Sequence, residues 1–328
     1  MLRLALALSV VGVVSACDGG PAPVDAGADD AGFDAGTIDA GPPTLAIPAP
    51  GEPMPAQLSA LGLTPDGAWH PDLIAYAPAY PLWTNGSDKV RHLYLPPGAQ
   101  VTGSVPFDFP VGATLFKQFA YGEQRVETRV MRLTADGWEF FVYQWEGDDA
   151  TLLDGAIPVD LEVATADGPV PHRIPSQRNC RTCHESNADR EVIGFRVAQL
   201  ADQLDALTAR GVFETRPADP PPIEGRDALE TRVLQYAYGN CVHCHNGLSG
   251  PNRSFDLRPD AFVANVVGVP TMSSASPSGV RVVAGDPEAS VLYVAMTRDD
   301  DFLMPPIGVQ RVDGTALEMF HEWIASLP

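Results

Sequence analysis

The chain has 328 residues and carries 42 acidic against 21 basic side chains, a formal net charge of −21. A balance so acidic excludes a nucleic-acid partner, which needs a basic face, and suits solubility or a partner with a basic docking surface. There are only five cysteines, and four of them stand in two copies of one phrase, "NCRTCH" at 179–184 and "NCVHCH" at 240–245.

The first element is a leader. Arg3 precedes an apolar run from Leu4 to Val14, which closes as Val14-Ser15-Ala16-Cys17. A run this short, ending in small residues, reads as a secretory signal and not as a membrane span. An aliphatic residue, two small residues and a Cys resemble the lipobox of bacterial lipoproteins, which implies lipidation of Cys17 after cleavage of residues 1–17. No later stretch reaches the roughly 18 apolar residues of a membrane helix. The expected location is therefore the bacterial cell envelope, on the periplasmic side or outer surface, lipid-anchored.

Residues 18–56 follow, with Asp-Ala-Gly recurring at Asp25, Asp30, Asp34 and Asp39. Seven acids and no base fall here, leaving 35 acids against 20 bases in the body of the protein. The stretch offers too little apolar surface to offset its ordering entropy and reads as a disordered acidic tether.

From 57 to 214 the pattern is that of a β-rich domain. Alternating or β-branched runs, "VRHLYLP", "ATLFKQFAY", "RVETRVMRL" and "WEFFVYQW", are separated by "PPG", "PVG", "ADG" and "EGD". Turn residues at this spacing predict an antiparallel β-sandwich or barrel-like domain. After Pro175 the period changes to that of a helix, with Val192, Ile193, Val197, Leu200, Leu204 and Leu207 on one stripe. A Pro-rich joint, 215–225, precedes an all-α domain, 226–328. In that domain Leu229, Val233, Leu234, Tyr236 and Ala237 mark a helix that runs into the second phrase, and an amphipathic helix ends the chain. The fold class expected is α+β and multidomain.

Outside a reducing compartment, four such cysteines can form disulfides, bind zinc, act as thioredoxin-like pairs or hold covalent haem. Disulfides leave the His after each pair unexplained, and a thioredoxin-like site wants a βαβ context that neither phrase has. Zinc explains the paired spacing. Haem c uses all three residues, because two thiols add to the vinyl groups and the next His ligates iron. The expected cofactors are thus two covalently attached haem c groups, one on Cys180, Cys183 and His184 and one on Cys241, Cys244 and His245.

Met304, in "FLMPPIG" and 59 residues after His245, is the candidate sixth ligand of the second haem. A His/Met iron suits electron transfer. Met296 competes, but its neighbours in "VLYVAMTR" point to core packing, as do those of Phe320 and Trp323; His321 reads as surface. The first motif has no His or Met between Glu185 and Asn240. Its sixth ligand comes from His70, His92, Met131 or His172, or the position is left open to a small molecule. Glu123 and Glu127 read as exposed strand carboxylates, and a strand lysine reads as solvated.

Residues 226–328 resemble the class I cytochrome c domain, whose first and last helices cross and whose sixth ligand is a late Met, often before Pro. The order "PLWTNGSDKVRHLYLPPG", "FPVGATLFKQF", "VETRVM", "GWEFFVYQW", "NCRTCH", "NCVHCH", "AGDPEASVLYVAM" and "MPPIG…WIASLP" is similar to a family of bacterial dihaem c-type cytochromes, mostly exported or lipoproteins. The resemblance covers nearly everything after the tether. Members are often encoded beside an exported parallel β-helix protein, which implies such a protein as a redox partner. The N-terminal half alone is also similar to small β-rich cytochromes that oxidise hydroxylamine and carry a lysine cross-linked to haem; Lys117 falls in the matching stretch, and Lys89 is the only other lysine.

The function these readings imply is a membrane-anchored dihaem c-type cytochrome that transfers electrons through the His/Met haem. Two alternatives stay open. One is a haem oxidoreductase whose open first haem acts on a small molecule and passes electrons to the second. The other is a partner-binding lipoprotein in which the β domain is the recognition module.

Overall fold

The β-branched and aromatic runs become strands. In the computed structural model, which describes residues 44–64, 68–103, 106–185, 192–248, 255–273, 275, 277–298, 300 and 303–328, these are β1 Ile74–Ala75, β2 Asp88–Tyr94, β3 Thr102–Gly103, β4 Phe107–Asp108, β5 Thr114–Tyr121, β6 Gln124–Thr134, β7 Gly137–Glu146, β8 Asp149–Leu152, β9 Val159–Thr165 and β10 Gly168–Ile174. Cys17 and the tether as far as residue 43 lie outside the described residues. Six strands make one antiparallel sheet in the order β1-β2-β5-β6-β7-β8, and β3–β4 and β9–β10 are separate hairpins. Gly122 and Gly147 open the two-residue loops after β5 and β7 with φ of 60° and 64°. That left-handed conformation is what the tight primed turns of a twisted hairpin require.

Both faces of the large sheet are covered. Leu93, Leu115, Met131, Phe140 and Val142 pack on one side against the two hairpins and the chain from Cys180 to Phe213. Phe116, Val130 and Tyr143 face the other way, onto Leu58, Leu61, Leu63 and Leu73. The last part of the expected tether, 44–56, is packed on this second face. Its Met54 is buried, and its backbone carbonyls at Pro48, Ala49 and Glu52 accept from the Arg132 guanidinium at 3.1, 2.9 and 2.7 Å. Arg132 is buried on a central strand, so these carbonyls and the Glu139 carboxylate complete its hydrogen bonding.

The helices are α1 Gln177–His184, α2 Val197–Leu200, α3 Leu204–Ala209, α4 Ala228–Asn240, α5 Phe262–Val266, α6 Val291–Thr297 and α7 Gly314–Ala325. The continuous helix expected over 190–208 is broken into α2, a 3-10 turn at Ala201–Gln203 and α3. The cause is tertiary. The Gln199 carbonyl, which an unbroken helix gives to its own next turn, accepts from Ala79 N at 2.8 Å, and the Gln199 and Gln203 side chains bind the backbone of Tyr80 and Ala77.

Asp227 and Asp313 cap α4 and α7. These two helices pack together over Val233, Leu234, Ala237, Phe320, Trp323 and Ile324, and Trp323 Nε1 donates to the buried Glu230 carboxylate at 3.0 Å. The architecture is α+β: an N-terminal antiparallel β-sheet region followed by a mainly helical C-terminal region, in one unit from Pro42 to Pro328. Among the described residues no helix is long and apolar enough to cross a membrane.

One residue stitches the two regions. Asn85, fully buried with φ 54°, accepts from Gln310 N and Arg311 N at 2.7 and 3.0 Å and donates to Pro171 O at 3.1 Å. Asn tolerates the left-handed region better than other side chains. Asn85→Ala leaves two backbone N–H groups without their acceptor in a partly buried contact, a loss of about 1–3 kcal/mol. Urea unfolding checks this, and an unchanged midpoint would show that the junction does not depend on Asn85.

Candidate functional site

The first phrase occupies α1. Ser176 caps this helix through a reciprocal capping box with Asn179. Cys180, Cys183 and His184, at spacings of three and four, then share one helix face. Cys180 is buried, and the His184 ring lies 5.5 Å from Phe140 of β7. Neither His184 ring nitrogen hydrogen-bonds within the described residues, and its Nδ1 is fully buried.

The second phrase begins where α4 ends. Gly239 and Asn240 bring this end against the 80–83 segment. A Cβ on Gly239 would collide with the Tyr80 carbonyl, and Asn240 Oδ1 accepts from Trp83 N at 2.7 Å. The chain then turns, with Cys244 N and His245 N both donating to Cys241 O at 3.1 and 2.9 Å. His245 leaves the turn with its ring 4.3 Å from Phe255.

Although their matching positions are 61 apart in sequence, the two phrases meet. Sγ of Cys183, Sγ of Cys244 and a ring nitrogen of His243 all lie within 4.8 Å of one another. None of the four cysteines is in a disulfide. The hydrogen bond with Cys244, and then burial, push the Cys183 thiol well above its usual range. Burial raises Cys241 to about 12. Burial, aided by Lys117, His243 and Arg129, drops His184 to about 3, so its imidazole is neutral, the form that ligates metal. His243 was not among the expected site residues; only its place between two cysteines marked it out.

A cleft of about 800 Å³, counting its open mouth, lies between α1 and the sheet. Cys180, Cys183 and His184 form one wall; Arg91, Lys117, Arg129, Met131 and Phe140 line the sheet side. Two expectations are overturned here. Lys117 is not a solvated edge residue: it sits on the inner strand β5 and faces the cleft, and burial together with Arg91, Arg129 and Lys89 lowers its pKa far below the usual lysine range. Glu127 is not an exposed strand carboxylate but is 0% exposed, held by Arg129 and by His172 Nε2 at 2.9 Å. Burial pushes its pKa up, but Arg129 and His172 outweigh that and hold it at about 2.

Of the four candidate ligands for the first motif, only Met131 lines this cleft. His92 lies on the opposite sheet face, stacked 3.9 Å from Trp69. His172 is engaged by Glu127 and by the Tyr121 hydroxyl. His70 Nδ1 accepts from Asp72 N. Met296 packs against the helical core, whereas Met304 is 38% exposed on the segment after α6.

The donor set suits haem c. Each motif supplies two thiols and a following His, and the first motif forms one wall of this cleft. No family model matches this chain, and neither any curated protein nor any solved structure does.

Proposed function

We propose that the protein is a dihaem c-type cytochrome that carries electrons. The observation behind this reading is the meeting of the two C-x-x-C-H motifs, with Cys183 and Cys244 side by side. Haem c on Cys180, Cys183 and His184 and on Cys241, Cys244 and His245 would supply two one-electron iron couples whose attachment points adjoin. The exposed thioether of Met304 is the sixth ligand in this reading, and Met131 is the residue available to the first site. The packed pair α4 and α7 would be the first and last helices of a cytochrome c domain. The sheet with its hairpins would be the sandwich-like or barrel-like β domain. Lipidation at Cys17 would anchor the chain in the cell envelope, where its acidic surface suits a redox partner with a basic docking face.

The same cluster favours a second reading. Cys183, His243 and Cys244 are a soft N/S ligand set of the kind zinc takes. That reading leaves Cys180, Cys241 and the His after each pair without a role, so haem accounts for more of the pattern. The test is the haem and zinc content of protein exported from a host with c-type maturation, by alkaline pyridine spectrum and elemental analysis. Two haems per chain and no zinc are expected; bound zinc without haem would overturn the cytochrome reading.

A further inference from the structure

Sheet register sets three cations in one row. Arg91 on β2 lies opposite Lys117 on β5, and Lys117 lies opposite Arg129 on β6. All three line the cleft beside the first motif. Like charges directly opposite one another weaken a β-ladder, so the row works against the fold that contains it.

Counter-charge within the protein is short. Glu127 pairs with Arg129 and is shared with His172. Among the described residues Arg91 and Lys117 form no ion pair and no side-chain hydrogen bond, although Arg91 is 7% exposed. Among the described residues no carboxylate lines this cleft. Burying a guanidinium without an anion costs several kcal/mol. Among the described residues Glu127 is the one carboxylate beside the row, which leaves Arg91 without an anion and Lys117, whose charged form burial and its cationic neighbours disfavour, between two guanidiniums.

The neighbouring row is of opposite character. Leu93, Leu115, Met131 and Phe140 stand opposite one another across β2, β5, β6 and β7 on the same face, two residues further along. The sheet thus offers an apolar band and, about 7 Å away, a cationic one. A ligand that fits is amphipathic, with a flat apolar body and two carboxylates at one edge. Haem has that shape, with its two propionates on the edge away from the vinyl groups that bond to cysteine.

We infer that Arg91, Lys117 and Arg129 form a carboxylate clamp for the propionates of the haem attached at Cys180 and Cys183, and that the Leu115–Met131–Phe140 band receives its macrocycle. The inference rests on the dihaem reading. Charge-assisted pairing to two carboxylates would also relieve the like-charge row, coupling haem capture to completion of the sheet. A small soluble anion could satisfy the same three cations, and the experiment separates the two sources.

The experiment uses matured protein carrying Arg91→Met, Lys117→Met or, as the conservative variant, Arg91→Lys. Haem per chain is counted first; fewer than two in the unsubstituted protein refutes the dihaem reading and not the clamp alone. Spectroelectrochemical titration then follows both haems. A cation beside a propionate disfavours the oxidised iron, so Arg91→Met and Lys117→Met are expected to lower the potential of the first haem only, and Arg91→Lys to restore most of it. Unchanged potentials in both methionine variants overturn the clamp. Sulfate and acetate titrated into the unsubstituted protein are expected to leave the first haem spectrum unaltered. A saturable change that disappears in Arg91→Met would assign the row to a soluble anion instead. Should the variants fail to mature, resonance Raman of the unsubstituted protein reads the propionate bending modes, and solvated frequencies at the first haem would overturn the inference.

Discussion

Changing Cys180 and Cys183 together to Ala is expected to halve the haem content of the exported protein, and changing Cys241 and Cys244 to Ala to halve it likewise. Thioether attachment needs the thiols of one motif and not those of the other, so each pair of substitutions removes one group and spares its neighbour. The spared haem is not expected to be spectrally unchanged. Cys183 and Cys244 are in contact, so on the dihaem reading the loss of one haem would expose the attachment edge of the other to water. A lower potential for the remaining group is the expected sign, because water stabilises the more highly charged oxidised iron. Alkaline pyridine spectra and intact mass on the two double variants check the count. Full haem content in either variant would show that its cysteines do not attach haem and would return that motif to a metal-binding role.

Much of the fold is legible in the sequence, because its strands and long helices follow local periods. β5, β6 and β7 coincide with the alternating or β-branched runs, and α4 and α7 with the apolar stripes. What alternation does not reveal is which face will meet what. Leu115, Lys117 and Phe119 share one parity on β5, and Glu127, Arg129 and Met131 share one on β6. The parity is readable, but a sheet covered on both faces has no polar side by which to orient it. Residue type alone therefore places Lys117 and Glu127 in solvent, whereas Lys117 lines the cleft and Glu127 is buried. His92 shows the same limit, since only the register tells that it faces Trp69 and not the cleft.

Tertiary meetings left no local trace at all. Cys183 and Cys244 adjoin because α4 is docked through Gly239 and Asn240 onto the 80–83 segment, a contact with no periodic signature. The 44–56 stretch reads as tether by composition. It packs because its carbonyls are the acceptors that a buried Arg132 needs.

The second large effect concerns Glu127, whose carboxylate is the one counter-charge of the cationic row among the described residues. Glu127→Gln keeps the shape but removes the charge, leaving the buried His172 and the partly buried Arg129 against a neutral amide and the row without its carboxylate. Breaking one side of a buried pair costs about 3–5 kcal/mol, and equilibrium urea unfolding of the matured protein reads it as a lower midpoint. The same group sets an acid limit. Its folded pKa is depressed, at about 2 against an ordinary 4.5, so its contribution is complete above pH 4.5 and is lost as pH falls towards 2. A shift of that size corresponds to about 3 kcal/mol. The unsubstituted protein should therefore lose stability steeply through this window, and Glu127→Gln should start lower at neutral pH and fall less. Parallel pH profiles for the two proteins would show that the carboxylate does not carry the linkage, and would move the acid sensitivity to another of the buried pairs.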